Sequence, residues 1–100
     1  MAVRHIYFDK TEITVSFPAG NRFVTKNLPY SDIQRIQFDT CREFKLFRFV
    51  DSEKITITSS QAPPIVYTKK KEGKYFEEYK EELKAFAKNN SITMQDNINP

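Results

Sequence analysis

The densest run of chemically capable side chains is Lys69-Lys70-Lys71, with Lys74 three residues on. Four ammonium groups so close can hold an anion or an anionic lipid head group. At about 1 kcal/mol per lysine beside a charged leaflet, they supply roughly 4 kcal/mol, close to millimolar affinity. That assists binding without anchoring a protein. The same run also serves as a solvated loop that discourages pairing at a short edge strand. A second candidate is Arg42-Glu43-Phe44-Lys45-Leu46-Phe47-Arg48-Phe49, which interleaves bases and aromatics as a single-stranded nucleic acid platform does. Glu43 and Asp51 flank those bases and oppose a polyanion. In an extended strand Phe44 and Leu46 share one face and Phe47 and Phe49 the other. The leading expectation is burial on both faces or a bulge. The remaining one is that Phe47 and Phe49 form a partner surface.

The other reactive types are isolated. His5 is the sole histidine, with no acid, Ser or Cys at an obvious catalytic spacing. Cys41 is the sole cysteine, which excludes an internal disulfide and a cysteine-rich metal site. It falls in an expected turn with only Arg42 to favour a thiolate. Asp9, Asp39 and Asp51 also fall at expected turns and form no metal-ligand motif. Two glycines are too few for a phosphate-cradling loop. No catalytic residue, metal or cofactor is expected, and the chain does not read as an enzyme.

These side chains need a scaffold, and 100 residues supply one core. A charged fraction of 29% and an aromatic fraction of 14% fit a folded, water-facing chain. The net charge of +3 is mixed through the sequence and reads mainly as solubility. There is no bilayer-length apolar run and no signal-peptide pattern, so a cytoplasmic location is the default expectation.

Only Glu72 to Asn89 keeps a helical period. Phe76, Tyr79, Leu83 and Phe86 recur at steps of three and four, Tyr75 and Ala87 widen the stripe, and Glu and Lys residues fill the other face. Such a helix depends on packing. Asn89 or Asn90 is suited to a left-handed stop. The preceding chain supplies strand signals: Val3 to Phe8, Glu12 to Phe17, Arg22 to Leu28, Ile33 to Asp39, Glu43 to Val50, Lys54 to Ser59 and Ile65 to Thr68. Pro18-Ala19-Gly20-Asn21 and Gln61-Ala62-Pro63-Pro64 mark connections. Asp39 to Arg42 and Asp51-Ser52-Glu53 are read as turns, and Leu28 to Ile33 as a tight helical turn capped by Ser31 or Asp32. The expectation is a mainly β fold, a seven-stranded antiparallel barrel or sandwich over residues 1–90 with the C-terminal amphipathic helix as its lid. Residues 91–100 form a polar tail for which fraying is the leading expectation, with docking of Ile92 and Met94 on the barrel as the alternative.

This order of elements, with the stretch Leu28-Pro29-Tyr30-Ser31-Asp32-Ile33-Gln34-Arg35-Ile36, resembles bacterial pleckstrin-homology (PH)-like domains. The resemblance implies a seven-stranded barrel closed by a C-terminal helix, and a role in binding rather than catalysis. The loop between the first two strands is only Asp9-Lys10-Thr11, so it lacks the basic cup of lipid-binding members; the tryptophan usual in the helix is also absent. The expected function is therefore a non-enzymatic interaction module working through a protein partner or homo-oligomer. The alternative is weak anionic-lipid binding through Lys69, Lys70, Lys71 and Lys74. Single-stranded nucleic acid binding ranks below both.

Overall fold

The computed structural model describes residues 4–98. It is mainly β, with two sheets and a C-terminal helix. Strands β1 (Ile6–Phe8), β2 (Glu12–Ala19) and β3 (Arg22–Pro29) form an antiparallel meander. Alternation places Ile6, Ile13, Val15 and Leu28 inward, and all four are buried. The β2–β3 connection turns at Gly20, whose φ of +70° suits a residue without a Cβ. Val3, expected to begin the first strand, lies outside the described residues. A single 3-10 turn, Tyr30–Asp32, follows β3 as expected. Its closing bond is backbone, Ile33 N–H to the Tyr30 carbonyl, rather than a Ser31 or Asp32 cap.

The second sheet has the order β6-β5-β4-β7, from β4 (Ile33–Lys45), β5 (Arg48–Ser59), β6 (Ile65–Thr68) and β7 (Met94–Asp96). Here the expected boundaries are corrected. Asp39 to Arg42 and Asp51 to Glu53 are not turns but lie within two long strands. The ladder sets Asp39 opposite Lys54, Thr40 opposite Glu53 and Arg42 opposite Asp51, and opposite charges across a pair favour extension over local turn chemistry. The expected strand Glu43 to Val50 is instead the end of the β4–β5 hairpin. No second apolar face is buried there, and the register irregularity lies at the far end, between Ile33 and Arg35.

The tail also departs from the leading expectation. Met94–Asp96 pairs in parallel with Ile36, Gln37 and Phe38, flanked by bonds from Ile36 N–H to the Thr93 carbonyl and from Asn97 N–H to the Phe38 carbonyl. Ile92, Met94 and Ile98 pack on the core, giving this polar segment an apolar reason to stay. Asn99 and Pro100 lie outside the described residues. The sheets do not close into a barrel.

Two helices complete the chain. The lysine run forms α1 (Lys69–Glu72), whose first turn is capped by Thr68 Oγ1 accepting from Lys71 N–H. Gly73, at φ +59°, ends it. The longer α2 (Tyr75–Asn90) stops at Ser91 in the left-handed region, so neither Asn89 nor Asn90 serves as the stop. Phe76, Tyr79, Leu83 and Phe86 are buried among residues of both sheets, as the helical stripe predicts. Lys80 is buried too, contrary to its place on the charged face. Its ammonium sits 2.9 Å from Glu53 and 3.2 Å from Glu77. Burial alone would lower its pKa, but the two carboxylates outweigh that and raise it. No described helix is long and apolar enough to cross a membrane.

Candidate functional site

Past Phe38 and Ile55 the β4–β5 hairpin leaves the core. Strand alternation carries the face of those two residues outward through the pairs Thr40–Glu53, Arg42–Asp51 and Phe44–Phe49. A polar band thus separates the core from a second apolar cluster at the hairpin end. The Phe44 and Phe49 rings meet edge to face at 5.4 Å, and Leu46 and Phe47 make the turn. Leu46 is 82% exposed and Phe47 94%. Both have positive φ, +51° and +66°, the signature of a two-residue primed hairpin turn that favours Asn-Gly. Large L side chains in that region cost about 1–2 kcal/mol each. The chain tolerates this strain while placing two large apolar groups in solvent.

The flanks of the tip are basic. Lys45 pairs across the ladder with Arg48, next to the turn. Just behind the tip Lys70 N–H donates to Glu43 Oε2 at 3.2 Å, and Lys70 Nζ donates to the Phe44 carbonyl at 2.5 Å. Burial would raise the Glu43 pKa, but hydrogen bonds from Ser52, Thr68 and Lys70 N–H hold its carboxyl below the usual range. The two regions singled out from sequence therefore meet in part. Lys69 and Lys70 lie beside the hairpin. Lys71 lies at a different cavity, shared with His5, and Lys74 sets its ammonium over the Tyr75 ring at 5.3 Å. Phe49 meets Phe44, which the two-face expectation had kept apart, while Leu46 and Phe47 stand in solvent at the turn.

Residues 42–51 together with Lys69 and Lys70 hold five of the 16 cationic side chains but two of the 13 carboxylates. The positive excess of the whole chain is therefore concentrated around this hairpin. It does not converge on one point. An open groove of about 590 Å³ places Asp51 and Glu53 beside Arg42 and Lys69, a mixed lining unsuited to one phosphate.

A second constellation was not legible from spacing. His5, which has no catalytic partner nearby in sequence, directs Nδ1 at the Glu72 carboxylate, 2.8 Å from Oε1 and 3.1 Å from Oε2. The His5 backbone N–H donates to the Tyr79 hydroxyl at 2.7 Å, so that hydroxyl sends its own proton to Glu72 Oε1 at 3.1 Å. Burial, with Glu72 adding to it, pushes the Tyr79 pKa up to about 12 and raises that of Tyr67 further. The His5 ring stacks at 5.4 Å on Phe23 and 6.3 Å on Tyr67. These groups border a cavity of about 280 Å³. Phe23 and Glu72 carried no sequence signal, because each gains meaning only from neighbours on other elements.

Burial, reinforced by Glu43, raises the Cys41 thiol pKa and keeps its proton on. Among the described residues no three His, Cys, Asp or Glu side chains group as a metal site. No protein-family model matches the chain, and neither curated proteins nor solved structures yield a match.

Proposed function

We propose that this chain is a non-enzymatic, PH-like interaction module that docks on anionic lipid surfaces through the tip of its β4–β5 hairpin. The observation that carries this reading is the strained Leu46-Phe47 turn, in which two large apolar side chains stand in solvent between Lys45 and Arg48. Backbone strain of this kind persists where surrounding structure enforces it and marks functional positions. Burying Leu46 and Phe47 in a membrane interface is worth about 3–6 kcal/mol. Cations held near the leaflet add about 1 kcal/mol each. Their sum is of micromolar order before docking costs. Neither contribution alone reaches that, which favours a surface offering both an apolar interior and negative charge.

Two features support the module reading: the order of elements and the buried helical stripe. The spread of positive charge favours recognition of charge density over one head group.

The test is co-sedimentation with phosphatidylcholine vesicles, with and without phosphatidylserine. Wild type is expected on the anionic vesicles alone. L46N/F47G should abolish binding, and K69Q/K70Q should weaken it and flatten its salt dependence. Equal binding to neutral vesicles, or none to either, overturns the proposal. So does a dimer in solution that L46N/F47G dissolves, since the tip would then serve a second copy.

A further inference from the structure

The cavity between the sheets combines features that nothing in the hairpin requires. Phe23 and Val66, 60% and 49% exposed, stand at it with no covering element among the described residues. His5 and Tyr67 lie nearly parallel to one another and His5 to Phe23, with planes 15° and 17° apart. Glu72, 3% exposed, also lines the cavity. Its Oε1 receives both the Tyr79 hydroxyl and the closer share of His5 Nδ1–H, while Oε2 receives only the longer share, at 3.1 Å. A carboxylate accepts about four hydrogen bonds, so this buried one retains accepting capacity beside aromatic faces.

We propose that this cavity binds a guanidinium group, free or on an arginine side chain. Guanidinium is planar, stacks on aromatic rings and presents a fork of donors matched to a carboxylate. Its charge complements the Glu72 carboxylate, and the cavity admits a short side chain rather than a drug-sized ligand. Lys71 lies exposed at the same cavity and opposes a cation there, which gives the test its sign.

The probes are ethylguanidinium and N-acetyl-arginine amide, with N-acetyl-citrulline amide as the uncharged control, followed by backbone amide NMR of the full chain. Saturable shifts at Phe23 and Val66 are expected in the millimolar range for both cationic probes, with citrulline at least tenfold weaker. A preference for the arginine amide would assign the natural source to a peptide, and a preference for ethylguanidinium to a free small molecule. E72Q should abolish the shifts. Because that variant also removes packing contacts, the exposed F23A provides the second reading, a several-fold loss without unfolding. K71Q should tighten binding several-fold. No saturation, citrulline binding as well as arginine, full binding by F23A, or weaker binding by K71Q would each overturn the proposal. L46N/F47G should leave these shifts unchanged.

Discussion

The Glu72 carboxylate and His5 Nδ1 lie 2.8 Å apart although 67 residues separate them in the chain. Together with Tyr79 they join α1, α2 and the segment leading into β1. Glu72→Ala removes the acceptor of the buried Tyr79 hydroxyl and of His5. The expected loss is about 3 kcal/mol, read as a lower urea midpoint with an unchanged slope. An unchanged midpoint would mean that the triad contributes nothing to folding.

The turn at Leu46 and Phe47 predicts opposing effects on stability and binding. Replacing the pair with Asn-Gly relieves two unfavourable backbone conformations and should stabilise the domain by about 1–3 kcal/mol. Thermal melts check this independently of any ligand; a destabilised double variant would show that the tip makes contacts the strain argument omits.

Leu83 and Phe86 are buried in the shared core. Truncating either to alanine should cost about 2–5 kcal/mol. Denaturant titration of each variant measures it, and full stability in both would contradict the packing of α2.

Ending the chain after Asn90 removes β7 and the apolar contacts of Ile92, Met94 and Ile98. Three partly buried side chains and the bonds flanking β7 predict a loss of about 2–4 kcal/mol. A truncated chain that melts with the full one would restore the frayed-tail expectation.

Glu43 predicts a pH dependence. Its folded pKa is depressed, so its contribution is complete above the ordinary carboxylate range and declines as pH falls through the folded value. Glu43→Gln should therefore flatten the acid side of the stability profile while leaving its alkaline side unchanged. Parallel profiles for the two proteins would remove Glu43 from the acid response.

Much of the fold was legible because periodicity is a local property. Phe76, Tyr79, Leu83 and Phe86 repeat at helical spacing, and Ile13, Val15, Ile55 and Ile57 at strand spacing. Each pattern dictates which face is apolar whatever it packs against. Strand limits were less legible. Asp39, Thr40 and Ser52 carry turn propensity, yet their cross-strand partners in the hairpin override it. Leu46-Phe47, the actual turn, contains no turn-forming residue, so propensity pointed away from it.

For the candidate sites, composition determined that bases and aromatics were present and that α2 needed a core. Tertiary structure alone decided that Lys69 and Lys70 stand beside the hairpin while Lys71 and Lys74 do not, that Phe47 is in solvent, and that His5 meets Glu72. Side-chain type and period are written residue by residue, whereas charge proximity and exposure depend on distances between segments that come together only when the chain folds.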